Sequence, residues 1–223
     1  DLHRVDRRQR QMCIRDSQSH AAAGYYTSPY DEACIVNIDA IGEFETATIW
    51  YAWGSHFEKR WSMTYPQSLG LFYSAITQRL GLKPQEDEYI LMGMAAYGQV
   101  NEKIKSELRE LLRHNLHRGC LGWDSKYYPD DGSEQWKFDI AANVQTICEW
   151  QIAKVFKKAK ELVPETDNMC YSGGVALNCA ANKVLANLGL FDNIWIIPNP
   201  GDAGSSLGCI AASLSLIHIS EPT

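Results

Sequence analysis

Apolar and polar positions along the chain change period several times, and the changes mark its elements. Ser19 to Tyr26 contains His20 and is otherwise rich in small residues, the composition of a helix end that packs closely, and Pro29 breaks it. Ala33 to Asp39 is apolar and β-branched, a buried strand ending in an acid. Two alternating stretches on either side of Gly54 and Ser55 predict a hairpin. From Leu69 the period is helical, with Leu69, Phe72, Tyr73, Ile76 and Leu80 on one side. A second helix is expected to stop at Gly98, and a third turns Ile104, Leu108, Leu111 and Leu112 inward. Residues 118–137 are rich in Gly, Asp and Trp and predict a long loop. The longest helix is expected over 140–163, with Pro164 as its stop. A strand at "NMCYS", a helix to Gly189, a strand at "NIWIIP" and a helix from about Asp202 follow. That alternation predicts a βαβ unit with parallel strands.

Ligands of such sheets sit beyond the carboxyl ends of the strands. Gly173 and Gly174 follow one such strand, and "GDAG", with Asp202, follows the next. Two glycines let the chain turn sharply and let a ligand approach the backbone. The N–H groups of a following helix suit phosphate or ribose oxygens. Asn178 and Asn182 are four apart and share a helical face, where amides can bind a ribose or an adenine edge. The same residues also read as a plain strand-to-helix turn with capping asparagines. Asp202 has two readings as well, a helix N-cap or a metal ligand. Asp39, at another strand end, shares them, and His20 alone reads as a packed histidine.

Composition narrows the class. The 223 residues are 45% hydrophobic, enough for a sizeable core. The net charge of -6 disfavours a broad nucleic-acid-binding face and leaves room for a phosphorylated small ligand. Seven scattered cysteines with no CxxC pair read as buried hydrophobes of a reducing compartment. No apolar run is long enough for a membrane helix and no signal-peptide pattern opens the chain, so a cytoplasmic protein is expected. The ends look foreign: residues 1–17 and 213–223 resemble translated sequencing-adaptor DNA. The expected native part is 18–212, a fragment of a longer protein.

Together "SHAAAGYYTSPYDEA", "NIDAIGE", "PQSLGLFYSAITQRLGL", "EDEYILMGMAAYG", "YSGGVALNCAANKVL" and "IIPNPGDAGSSLG" resemble the carbamoyltransferases of antibiotic and nodulation-factor biosynthesis. The resemblance covers nearly all of 18–212 in the family's order. It implies an α/β fragment of the actin-like ATPase (ribonuclease-H-like) fold, a mixed sheet with helices on both faces. It implies transfer of a carbamoyl group from carbamoyl-adenylate to a hydroxyl of a small-molecule or sugar acceptor. Carbamoyl phosphate and ATP would supply that adenylate in a separate adenylate-forming module, the expected partner in the full-length chain. Neither a membrane nor a nucleic acid is an expected partner. The resemblance further implies a divalent, iron-type metal held by His20 and Asp202. Asp39 and His20 are the implied catalytic residues, with Gly173, Gly174, Asn178 and Asn182 along the adenylate. A threonylcarbamoyl transferase, a sugar kinase or an inactive nucleotide-binding fragment are the alternatives.

Three positions depart from the family. It has a histidine four residues before His20, where this chain has Asp16; a glycine at Ala40; and a lysine at Ile90. The first departure leaves the implied metal site one imidazole short.

Overall fold

The computed structural model describes residues 16–42, 44–113, 122–123 and 125–220, the last eight by backbone alone. Most of the expected foreign N-terminal tail, residues 221–223, Glu43 and part of the 118–137 loop lie outside the described residues. The chain divides into two compact units. The first comprises Asp1–Tyr65, Phe156–Leu177 and Gly189–Thr223; the second comprises Pro66–Val155 and Asn178–Leu188.

The first unit is built on one mixed five-stranded sheet, ordered β3-β2-β1-β4-β5. Strand β1 (Glu32–Ile38) is the predicted buried apolar run, and its position in the middle of the sheet explains why it does not alternate. It pairs antiparallel with β2 (Glu45–Trp53), which turns at Gly54 into the antiparallel β3 (His56–Thr64). On its other side β1 runs parallel to β4 (Asn168–Ser172), and β4 parallel to β5 (Asn193–Ile196). Helix α1 (Asp16–Tyr26) covers one face, where Ala21 and Tyr25 pack with Ala33, Ile35, Trp50, Ala52 and Cys170. Tyr171, next to Cys170, points to the other face and meets Phe156 edge-on at 5.0 Å between ring centroids. Helices therefore cover both faces.

The last helix of this unit, Asp202–Ser220, runs unbroken across residue 213, and α1 already includes Asp16 and Ser17. The two helices touch at backbone level. A Cβ on Gly208 would lie 1.8 Å from the Ser19 carbonyl oxygen, so no larger residue permits this approach.

The second unit is helical. It contains α2 (Leu69–Arg79), α3 (Glu88–Met94) and α4 (Glu102–Arg113), and a short 3₁₀ turn over Ala95–Tyr97 follows α3. Ser68 caps α2 by accepting from the Leu71 N–H at 3.0 Å. The long helix α5 (Glu134–Leu162) gives its part up to Val155 to this unit. It begins six residues earlier than expected, because Ser133 Oγ accepts from the Trp136 N–H at 3.1 Å and starts the first turn inside the Gly- and Asp-rich stretch. The helix expected after Gly174 is also divided. Gly174–Leu177 is a 3₁₀ turn, and α6 (Cys179–Asn187) starts only after its cap, Asn178. Numbering in chain order, the helix Asp202–Ser220 is α7. Among the described residues no helix is long and apolar enough to cross a membrane.

Candidate functional site

Three elements of the first unit meet at the carboxyl end of its parallel strands. Helix α1 brings His20, the residue after β1 is Asp39, and Asp202 opens α7. The small residues Ala21, Ala22 and Ala23 let α1 lie close on the sheet, which leaves His20 only 1% exposed. The Gly208 contact holds α7 against α1 and so brings its first residue toward that imidazole.

His20 Nε2 lies 3.1 Å from Asp39 Oδ2 and 3.3 Å from Asp202 Oδ1. Asp39 is thus as close to the histidine as Asp202 is. Asp16, one helical turn before His20, puts Oδ1 3.8 Å from the same nitrogen. The other Asp39 oxygen is anchored: Oδ1 accepts from the Ala40 N–H at 2.7 Å. Asp202 is 89% exposed, so the cluster is buried on the histidine side and open on the Asp202 side.

Despite the short distances, neither ring nitrogen of His20 has a hydrogen-bond partner, and neither does Asp39 Oδ2. The atoms approach without donor and acceptor in line. Buried polar atoms left in that way are costly. One ligand atom each from His20, Asp39 and Asp202 lies within 4.8 Å of the others, a spacing that can hold a metal ion. Ligands at about 2.0–2.2 Å from a divalent ion stand roughly 3–3.5 Å apart, so the two short distances suit one shared ion.

The electrostatics agree with a cluster short of positive charge. Burial works against the charged form of His20. The adjacent Asp39 carboxylate and the charges of Asp16 and Asp202 outweigh it and raise the imidazole's pKa. Burial also works against ionised Asp39, but His20 and the backbone N–H groups of Ala40 and Gly174 hold its carboxyl below the usual range. For Asp16 burial dominates, with Asp39 and Asp202 adding repulsion, and its carboxyl is pushed up despite His20.

The paired glycines border the same cluster. Gly173 has φ 90°, and a Cβ there would fall 2.3 Å from both Asn37 Oδ1 and the Ile38 carbonyl oxygen, so this turn requires glycine. Its N–H donates to the Pro200 carbonyl at 2.9 Å, which ties the β4 turn to the β5 turn. A Cβ on Gly174 would stand 3.1 Å from Asp39 Oδ1.

Asn178 and Asn182 belong to the second unit. Asn178 Oδ1 accepts from the Ala181 N–H at 3.0 Å and caps α6. Its amide also exchanges two 3.0 Å hydrogen bonds with Gln145, whose Oε1 accepts in addition from Tyr73 Oη at 2.9 Å. Asn178 therefore sits before the helix with φ -75° and ψ 87°, not within it, and the expected i,i+4 face does not extend to it. Asn182 is half-buried on α6. Sequence reading missed Gln145; the available signal was its place beside Asn143 in an apolar stretch of the longest helix.

Residues 1–212 match the family described as Carbamoyltransferase N-terminus. The chain is 36% identical over 222 residues to an uncharacterized protein of Synechocystis, covering 90% of this chain and 35% of that protein. It is 29% identical over 202 residues to the nodulation protein NolO of Bradyrhizobium diazoefficiens, covering 85% of this chain and 36% of that protein. With the nodulation protein NolNO of Sinorhizobium fredii the identity is 30% over 203 residues, covering 85% and 29%. The chain spans about a third of the length of these curated relatives.

Proposed function

The chain belongs to the carbamoyltransferase N-terminus family, and from that membership we propose that it is the part of an O-carbamoyltransferase that binds carbamoyl-adenylate and transfers the carbamoyl group to a hydroxyl of a small-molecule or sugar acceptor. The observation that carries the reading is the convergence of His20, Asp39 and Asp202, with orphaned buried atoms, at the carboxyl end of the strands. The mixed sheet with helices on both faces supports an actin-like ATPase fold as the scaffold.

In this proposal His20 and Asp202 hold a divalent, iron-type metal, with Asp39 beside it. Such an ion, when bound, supplies Lewis acidity for the carbamoyl carbonyl. Asp39, whose carboxyl is held below the usual range, is ionised at neutral pH and accepts the proton of the acceptor hydroxyl. The acceptor oxygen forms a bond to the carbamoyl carbon, and the bond from that carbon to the adenylate phosphate oxygen breaks. Adenylate leaves with the electron pair. The Gly173–Gly174 turn, bare of side chains, lets the phosphate approach the backbone closely. Asn178 and Asn182 are the proposed polar contacts of the adenylate; Asn178 would serve while capping α6. The adenylate is made from ATP and carbamoyl phosphate in a module outside this chain, in a cytoplasmic enzyme.

The test is to incubate the chain with ready-made carbamoyl-adenylate and a panel of hydroxyl acceptors. Mass spectrometry would follow the carbamoylated acceptor, with adenylate release measured alongside. Acceptor-dependent product that is lost in Asp39→Asn supports the proposal. Binding of the adenylate without transfer to any acceptor leaves a nucleotide-binding fragment instead. Transfer to tRNA rather than to small hydroxyl compounds would favour the threonylcarbamoyl alternative, and phosphorylation of a sugar by ATP the kinase one.

A further inference from the structure

One turn of bare backbone stands against both carboxylates of the site. Strand β4 lies between β1 and β5, so the Gly173–Gly174 turn at its end reaches the ends of both neighbours. On the β1 side it meets Asp39: a Cβ on Gly174 would stand 3.1 Å from Asp39 Oδ1. That oxygen also accepts from the Ala40 N–H at 2.7 Å, while Oδ2 is the one that faces His20. On the β5 side the Gly173 N–H donates to the Pro200 carbonyl at 2.9 Å, and a Cβ on Gly201 would lie 4.0 Å from the Gly174 Cα. Pro200 and Gly201 lead directly into Asp202. The strand ladders stop short of these residues, the last pairs being Asn37 with Ser172 and Tyr171 with Ile196.

We propose that Gly173 and Gly174 are positioning residues that set where Asp39 stands relative to Asp202, one glycine tied to each carboxylate's backbone or side chain. The proposal deepens the reading of His20, Asp39 and Asp202 as one centre and rests on it. Two carboxylates at this spacing repel each other and need a scaffold to hold them together. Asp202 is exposed, so its place depends on the backbone that carries it, and that backbone is fastened to Gly173. Asp39 Oδ1 is held between the Ala40 N–H and the bare face of Gly174, which aims Oδ2 at the imidazole. The two glycines are required for different reasons. Gly173 has φ 90°, a conformation that other residues resist. Gly174 opens a 3₁₀ turn, whose backbone alanine also adopts, and is required only for space beside Asp39.

Gly174→Ala therefore moves the carboxylate without straining the backbone: at 3.1 Å the methyl group forces Asp39 Oδ1 to give by a few tenths of an ångström. Three readouts follow the variant, with circular dichroism as the check that it is folded. In the metal-free chain the Ala40 amide resonance is expected to shift, because its N–H bonds to the displaced oxygen. Affinity for Mn²⁺ alone, read by paramagnetic resonance, is expected to fall several-fold. Transfer from carbamoyl-adenylate is expected to lose about threefold to tenfold in kcat at an unchanged adenylate KM, the signature of a misplaced reacting group. If Gly174→Ala does not fold, replacing Gly173 by glycolic acid removes its N–H and adds no atom. Release of the Pro200 carbonyl should then weaken Mn²⁺ several-fold and leave the Ala40 resonance in place. A raised adenylate KM with unchanged Mn²⁺ affinity and an unmoved Ala40 resonance would mean that the turn serves the ligand alone, and overturns the proposal. So would a Gly174→Ala chain equal to its parent in all three. If the parent chain itself neither binds Mn²⁺ nor transfers the carbamoyl group, the reading of the centre fails and this inference falls with it.

Discussion

His20 Nε2 stands 3.3 Å from Asp202 Oδ1, although the two residues lie at opposite ends of the chain and no hydrogen bond joins them. One is the most enclosed group of the site and the other the most open. A ligand pair of this kind lets an ion enter from the Asp202 side and reach a fixed nitrogen within. Replacing Asp202 by Asn should therefore lower the affinity for a divalent ion by at least about tenfold, a loss of roughly 1.4 kcal/mol. Equilibrium dialysis with elemental analysis checks it; an affinity unchanged from the parent chain removes Asp202 from the site.

Stability of the chelator-treated protein should depend on pH through the same cluster. His20 titrates above its ordinary 6.5, so its contribution is fully present below 6.5 and is lost as pH rises through the raised folded value. Asp39 titrates below its ordinary 3.8, so its contribution is present above 3.8 and is lost as pH falls through the lowered one. Asp16 titrates above 3.8, and its ionisation costs stability as pH rises through that raised value. Thermal unfolding should show highest stability at weakly acidic pH and a decline above neutrality. In His20→Gln the alkaline decline should shrink; a parent profile that is flat from pH 5 to 9 contradicts the assignment.

Gly208→Ala should damage the site without touching it. Its methyl group would have to displace the Ser19 carbonyl, 1.8 Å from the ideal Cβ position, and so push α7 off α1. Overpacking of this sort typically costs about 1–3 kcal/mol. The expected outcome is a lower urea midpoint together with weaker metal binding, because Asp202 moves with its helix. Stability loss with full metal affinity would mean that the Gly208 contact does not position Asp202.

Asn178→Ala removes the α6 cap and leaves Gln145 without its amide partner. A lost cap costs about 0.5–2 kcal/mol. Adenylate binding, measured by calorimetry, is expected to weaken by about 1–2 kcal/mol as well if the amide also meets the ligand. A stability loss with unaltered adenylate affinity assigns Asn178 to the cap alone.

Local pattern was enough for most of the elements. The apolar run at β1, the turn at Gly54, the periodic face from Leu69 and the parallel strands β4 and β5 all form where hydrophobic spacing puts them. These are matters of period and backbone freedom, which neighbouring residues settle among themselves. Side-chain capping was harder to read. Ser133 moved the start of α5, and Asn178 divided the helix after Gly174, because a single hydrogen bond decides where a helix begins. The glycine pair and the aspartates at strand ends marked the candidate site in the sequence, and the family resemblance gave them roles. What only the tertiary structure decided is the company His20 keeps. Its nearness to Asp39 and Asp202 depends on a glycine-permitted helix contact far along the chain, and its charge state on burial against three carboxylates. Only Asp16, one turn before His20 on the same helix, is placed by spacing; Asp39 and Asp202 are brought to His20 by the packing of helices on a sheet.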